Sequence, residues 1–384
     1  MTNKGKCLEL YFHIPFCIKK CLYCDFLSAP AEEGVRRAYM EALEQETWTR
    51  AREYGDYTVD SVFVGGGTPS VAETGQLTGL LAAVREGYRL AEDAEITVEV
   101  NPGTADLRKL AAYRAAGVNR LSIGLQTANE EELGRIGRIH TMEQFRTTYA
   151  AAVTAGFINI NVDVMSALPG QSPESWKRTL HALLELEPRP THISAYSLIP
   201  EEGTRLCEML EKGELTLPDE DTDRLMYVET KRILGEAGFR RYEISNYARP
   251  GFCCRHNCGY WTRQNYLGLG IGAASLIENV RFRNGDDLSS YLEHPLDCRE
   301  EIHALSLEEQ MEEFMFLGLR LTKGVDVSAF RENFGRMPEE VYRDVIEKNI
   351  RDGLLEYGDG TDRLALTDRG LDLASYVMAQ FLLT

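Results

Sequence analysis

The sequence predicts an α/β fold built on parallel strands, with a small α+β module at the C-terminus. Three observations carry this. Over the first two-thirds of the chain, short runs rich in Val, Ile and aromatics alternate with longer helical patterns. The alternation repeats six times, and parallel strands joined by helical crossovers make a barrel or a doubly wound sheet. Near the C-terminus the rhythm changes to two helical runs followed by a short hairpin.

The strands are expected at Leu8–Ile14, Val59–Val64, Ile96–Val100, Arg120–Gly124, Ile158–Val164 and Ile193–Ser197. Helix signals lie between them. Thr104 is placed to cap Ala105–Ala116, with Gly117 as its stop. Thr141 and Gln144 form a capping box ahead of a helix ending at Gly156, and Ser172-Pro173 opens the next one. Residues 1–239 are thus expected to form the βα core. Residues 240–298, rich in Tyr, Asn, Gly and Cys, form an extension to it. Residues 299–384 form a winged-helix-like module: helices around Leu307–Leu321 and Pro338–Asp352, then Leu354–Tyr357, a turn at Gly358-Asp359-Gly360, and Leu364–Leu366.

Composition bounds the function. The chain has 384 residues, 43% of them hydrophobic and 27% charged, as expected of a folded protein with a packed core. Its 42 basic against 60 acidic residues give a net charge of −18, which repels phosphate backbones and argues against nucleic acid as a partner. No apolar run is long enough to span a membrane, and the polar start, Met1 to Lys6, has no apolar segment behind it. A cytoplasmic location is expected. In a reducing compartment the nine cysteines point to metal binding or chemistry rather than disulfides.

Cys17, Cys21 and Cys24 lie in His13-Ile-Pro-Phe-Cys-Ile-Lys-Lys-Cys-Leu-Tyr-Cys-Asp-Phe26, directly after the first strand. Three thiolates on so short a loop can hold one iron–sulfur cubane and leave one iron open for chemistry. The alternative is a zinc site completed by His13 or Cys7. Polar residues fall at the ends of the other strands. Gly65-Gly66-Gly67-Thr68-Pro69 follows the second, and its consecutive glycines would let backbone N–H groups approach a ligand. Glu99, Gln126, Asp163 and Ser197 close or occupy the third to sixth, and Arg138 lies in Gly137-Arg138-Ile139-His140. The strand ends are where parallel α/β folds build sites. A local Arg138–Asp163 ion pair is the structural alternative for two of them.

The spacing Cys17-x3-Cys21-x2-Cys24, with Tyr23 before the third cysteine, resembles the signature of the radical S-adenosylmethionine superfamily. The resemblance implies a (βα)6 partial barrel. It also implies a [4Fe–4S] cluster whose open iron chelates S-adenosyl-L-methionine, and an electron that releases a 5′-deoxyadenosyl radical. Within the superfamily the whole chain resembles the oxygen-independent coproporphyrinogen III oxidase-like family. By that resemblance Tyr11, Tyr23, Gly66 and Glu99 contact a first S-adenosylmethionine, and Gly67, Thr68, Gln126, Arg138, Asp163 and Ser197 a second.

Three features separate two branches of that family. The dehydrogenase branch carries a further cysteine two residues after the third, where Phe26 stands here, and a helical extension before the first strand. This chain has neither, and it carries His256-Asn257-x-x-Tyr260-Trp261, which resembles a hallmark of the haem-chaperone branch. The expectation is a haem chaperone that binds haem, with His256 as an axial ligand. Cys254 or Cys258 is the thiolate alternative. Such a protein would need an electron donor and a haem-accepting protein, the latter reached through peripheral contact if it is membrane-bound. Gly268 to Ser275 resembles the family's glycine loop, with Ala274 where many members have histidine. Two further readings stand beside this one: a coproporphyrinogen III dehydrogenase, and a zinc-stabilised barrel acting as an interaction module. His181, His192, His294 and His303 show no partner pattern. His140 is placed to orient Arg138, and His13 to pack beneath the cysteine loop.

Overall fold

The computed structural model describes residues 6–358 and 362–383. The first five residues of the expected polar start, and Asp359 and Gly360 of the expected hairpin turn, lie outside the described residues.

Six parallel strands form the centre: β1 (Cys7–Ile14), β2 (Thr58–Gly66), β3 (Arg89–Val100), β4 (Arg120–Gln126), β5 (Asn159–Ser166) and β6 (His192–Ser197), hydrogen-bonded in that order. Each pair is bridged by a helical crossover, from Glu33–Tyr54 after β1 to Pro173–Leu184 after β5. β4 is buried along its whole length, although Leu121, Ile123 and Leu125 alternate there with Arg120, Ser122, Gly124 and Gln126. The sheet stays an open, partial barrel. Beyond β6 lie β8 (Asn246–Ala248) and β7 (Arg240–Arg241), both antiparallel. On the other side β9 (Tyr266–Leu269) pairs parallel with β1. The antiparallel strands β10 (Ala274–Ile277), β11 (Val280–Asn284) and β12 (Arg299–Ala304) follow it. The segment expected as an extension therefore widens the same sheet at both edges.

The C-terminal module has its own core around Met315, Phe330, Tyr342, Ile346, Leu364 and Phe381. Helix Leu307–Gly318 leads to β13 (Val325–Asp326), then helices Val327–Phe334 and Pro338–Arg351, then the hairpin β14 (Leu355–Tyr357) and β15 (Arg363–Leu366). The sheet order β13-β15-β14 is that of a winged helix. The module is tied to the barrel by the Arg224–Asp372 and Arg263–Glu313 ion pairs, and by Arg320 stacked 4.2 Å over the Trp261 ring.

Most helix signals hold. Thr141 and Gln144 make their capping box, and Ser172 caps the helix whose first residue is Pro173. One cap moves. Helix Leu107–Ala115 is capped by Asp106, which accepts from the Lys109 N–H at 2.8 Å, while Thr104 donates to the Asn101 carbonyl at 2.7 Å. A carboxylate at the helix start outcompetes a hydroxyl two residues earlier.

Candidate functional site

The C-terminal ends of β1 to β6 open on one cavity of about 410 Å³. Cys17, Cys21, Tyr23 and Cys24 line it from the loop after β1, and Gly66, Gly67 and Thr68 from the turn after β2. Glu99, Gln126, Asp163 and Ser197 come from β3 to β6, and Arg138 from the crossover after β4. This volume suits a small-molecule cofactor.

The cysteine loop is held at several points. His13 Nε2 donates to the Leu27 carbonyl at 2.8 Å while the Tyr11 hydroxyl donates to His13 Nδ1 at 3.0 Å. The Leu22 N–H reaches the Ile136 carbonyl at 3.0 Å, and the Cys17 N–H the Ala29 carbonyl at 3.2 Å. The thiols are partly exposed towards the cavity. Cys17 Sγ lies 3.3 Å from Thr68 Oγ1, and Arg138 Nη1 lies 3.6 Å from Cys21 Sγ. Burial pushes the Cys24 thiol up, so metal binding there displaces a proton. Among the described residues no three His, Cys, Asp or Glu side chains converge on a single metal ion. A cubane spreads its thiolates over different irons, and the donor set of three cavity-lining thiols with a cation beside one of them fits such a cluster.

Arg138 does not pair with Asp163. Its Nη2 donates to Asn101 Oδ1 at 2.9 Å and to the Gly124 carbonyl, which leaves the buried Nε without a partner. Asn101 in turn donates to Thr68 Oγ1 at 2.7 Å. His140 turns away from Arg138 to the Leu125 carbonyl, 3.1 Å away. Its imidazole is pushed down to about 4 by burial and by the Arg138 charge. Glu99 accepts from the Gly66 N–H at 3.2 Å, and burial with the Asp163 charge nearby pushes its carboxyl up to about 8. Gln126 sits at φ 71 beside a register shift between β4 and β5, a conformation that a non-glycine residue holds only when its surroundings impose it.

The glycine turn has a reason other than ligand approach alone. A Cβ on Gly66 would lie 2.6 Å from the His13 ring, and one on Gly67 would lie 2.7 Å from the Phe16 carbonyl oxygen. Gly66 also has φ +106. The glycines let β2 pass under the cysteine loop, and Gly66 and Gly67 line the cavity as a result.

Three expected site residues lie elsewhere. Tyr11 is outside the cavity lining, its ring 6.3 Å from that of Phe63 and its hydroxyl on His13 beneath the cysteine loop. Ala274 is an exposed residue at the start of β10, outside the cavity lining. His256 is 1% exposed, on the short helix Arg255–Trp261 at the opposite end of the barrel. Its Nδ1 lies 2.8 Å from Ser61 Oγ, its Nε2 lies 3.0 Å from the Tyr260 hydroxyl, and its ring stacks 5.2 Å from Phe63. Burial, with the Arg120 charge nearby, pushes its imidazole down to about 3. Both ring nitrogens are engaged, so as placed His256 offers no lone pair to an iron. The Cys254 thiol is fully buried against Glu95, with Sγ–Oε1 at 3.4 Å. Tyr260 and Trp261 instead line a separate pocket of about 300 Å³, shared with Tyr266, Phe316 and the Arg281–Glu313 pair. Sequence reasoning passed over Asn101 and Ser122, both of which line the main cavity. Asn101 stands directly after β3 and before Pro102, and that position was its available signal.

Comparison with known proteins shows which family this geometry belongs to. The radical SAM superfamily model matches residues 11–183, and the HemN C-terminal domain model matches residues 305–373. The heme chaperone HemW of Lactococcus lactis is 38% identical over 374 residues, covering 97% of each chain. That of Bacillus subtilis is 35% identical, covering 97% of this chain and 98% of the other. This chain belongs to the HemW family of radical S-adenosylmethionine proteins. The solved structure of Escherichia coli coproporphyrinogen III oxidase, HemN, a radical SAM enzyme, has a TM-score of 0.84 at 25% identity. The match covers 98% of this chain and 90% of that one. This chain and HemN thus share one architecture, the partial barrel with its C-terminal module. Among the described residues no helix is long and apolar enough to cross a membrane.

Proposed function

We propose that this protein is a haem chaperone that carries a [4Fe–4S] cluster and S-adenosylmethionine at the barrel mouth and passes haem to an acceptor protein. The observation that carries the reading is the near full-length likeness to proteins named heme chaperones, in Lactococcus, Bacillus and Mycobacterium alike. It is supported by Phe26, which stands 59% exposed on the cavity rim where the dehydrogenase branch has its further cysteine.

Cys17, Cys21 and Cys24 would hold the cluster, whose open iron supplies a binding point for the cofactor's amino and carboxylate groups. The residues of this chain do the rest. Thr68 and Arg138 hydrogen-bond Cys17 and Cys21, which tunes thiolate basicity and fixes the side chains. Glu99 and Asp163 offer carboxylate oxygens to hydroxyl and ammonium donors. Desolvation holds Glu99 near the point where it can be neutral or charged. A haem face would find its aromatic surface at the pocket of Tyr260, Trp261, Tyr266 and Phe316, with Arg281 there for propionates. His256 supports that pocket from behind through Tyr260.

The test is one preparation, reconstituted with iron and sulfide and supplied with S-adenosylmethionine and reductant. It should bind haem stoichiometrically in a Soret titration and leave coproporphyrinogen III unchanged. Decarboxylated porphyrinogen products would promote the dehydrogenase reading, and absence of haem binding would remove the chaperone reading.

A further inference from the structure

We propose that His192 and Tyr242 are positioning residues for the cofactor site, the middle links of a one-way chain of hydrogen bonds that runs along the barrel interior and ends on Asp163. The chain begins at the segment carrying Cys254 and His256, so it joins the two ends of the barrel. It rests on the reading that Asp163 faces bound S-adenosylmethionine.

Every link is within hydrogen-bonding distance. The Cys254 N–H donates to the Tyr242 hydroxyl at 3.3 Å, and that hydroxyl lies 2.8 Å from His192 Nε2. His192 Nδ1 lies 2.6 Å from Asn161 Oδ1. Asn161 Nδ2 donates to Asp163 Oδ1 at 2.7 Å and to Ser122 Oγ at 2.8 Å, and Ser122 donates to Asp163 Oδ2 at 2.9 Å. The direction is forced from the acceptor end. Asp163 only accepts when ionised, so the Asn161 amide must present its NH2 to it and its carbonyl oxygen to His192. His192 then carries its proton on Nδ1 and accepts at Nε2, which makes Tyr242 the donor there and leaves its oxygen to accept from Cys254. His192 is fully buried, and burial with the Arg120 charge holds its imidazole neutral, as the chain requires. Hydrogen bonds aligned in one direction polarise one another in a low-dielectric interior.

The consequence lies at Asp163. Both of its oxygens are held by donors from inside the barrel, which fixes the carboxylate plane and leaves its outer lone pairs to the cavity. Tyr242 touches neither the cavity nor the cysteine loop. The hydrogen-bonded route from Tyr242 to Asp163 runs through His192 and Asn161, beside the buried Arg120 charge that faces both ends.

The experiment uses the full-length, cluster-reconstituted protein and measures S-adenosylmethionine affinity by equilibrium dialysis, with iron content and melting temperature alongside. Asp163→Asn is the benchmark and should weaken binding at least about ten-fold. Tyr242→Phe removes one oxygen and should weaken it by about three- to ten-fold at unchanged iron content. His192→Leu should match or exceed that loss. His192→Asn should recover part of it, because its amide N–H sits where Nδ1–H donates; a merely structural role gives no such recovery. If Asp163→Asn binds weakly while Tyr242→Phe and His192→Leu bind as wild type, the chain is overturned and the cofactor assignment stands. If Asp163→Asn binds as wild type, Asp163 leaves the site and both fall. If His192→Leu does not fold, Tyr242→Phe alone decides.

Discussion

Two segments of this chain carry three cysteines and a nearby histidine each, and their surroundings are opposite. In the first, Cys17, Cys21 and Cys24 project from a loop at the barrel mouth into a cavity of about 410 Å³, and His13 braces the loop from beneath. In the second, Cys253, Cys254 and Cys258 surround His256 at the barrel floor. There Cys254 and His256 are buried and engaged by Glu95, Ser61 and Tyr260. The same residue types at similar spacing thus give three thiols lining one cavity in the first segment, and in the second a buried Cys254 and His256 with Cys253 exposed and Cys258 half-buried. Spacing nominates a ligand set, and access together with free lone pairs decides it.

The largest effect that sharpens this contrast is on the cluster. Cys17→Ser, Cys21→Ser and Cys24→Ser should each lose the iron and acid-labile sulfide acquired on anaerobic reconstitution, because each removes one of three ligands. Cys253→Ser and Cys258→Ser should keep them. Iron retained by Cys24→Ser and lost by Cys258→Ser would reverse the roles of the two segments.

Next comes stability at the floor. His256→Ala leaves Ser61 and Tyr260 without their partner and empties a packed position. The unfolding free energy should fall by about 2–4 kcal/mol in a denaturant titration. A variant that unfolds like the wild type but shifts the Soret band of bound haem would return His256 to the role of axial ligand.

At the mouth, Glu99 gives a pH signature. Its carboxyl is raised to about 8 in the folded chain against an ordinary value of 4.5. The folded state therefore holds this proton more tightly than the unfolded state. Glu99 favours folding fully below about pH 4.5, and that contribution is lost as pH rises through about 8. Without cofactor, Glu99→Gln should flatten the fall in denaturation midpoint between pH 6 and pH 8.5. An unchanged slope would mean that Glu99 ionises freely in the folded chain. The smallest effect belongs to Ser197, whose hydroxyl is taken by Asp223 at 2.9 Å. Ser197→Ala should change S-adenosylmethionine affinity less than about three-fold, by dialysis.

Legibility in the sequence followed the same physics. The six strands and the cysteine loop were readable because buried strands are enriched in Val, Ile, Leu and aromatics, and because the loop is local in sequence. Glu99, Gln126 and Asp163 were readable as polar residues at the end of or within strands that a buried sheet has to explain, and Arg138 as a cation in the segment after β4. Thr104 was misplaced as a cap because two candidates stood two residues apart and only the backbone decides between them. The true surroundings of His256 and His192 were not readable. Ser61 lies 195 residues from His256, and Tyr242 lies 50 from His192, so topology alone brings them together. The glycine turn lines the cavity as its position suggests, but its tight contacts with His13 and Phe16 of a neighbouring strand and loop were not readable.

The most direct measurement of the central claim is the electron paramagnetic resonance spectrum of the reduced, reconstituted protein with and without S-adenosylmethionine. If the three mouth cysteines leave one iron open inside the cofactor cavity, adding S-adenosylmethionine should change the cluster signal. The change should appear in the wild type and in the Cys253→Ser and Cys258→Ser variants alike. A cluster signal that ignores S-adenosylmethionine at saturating concentration would contradict the account.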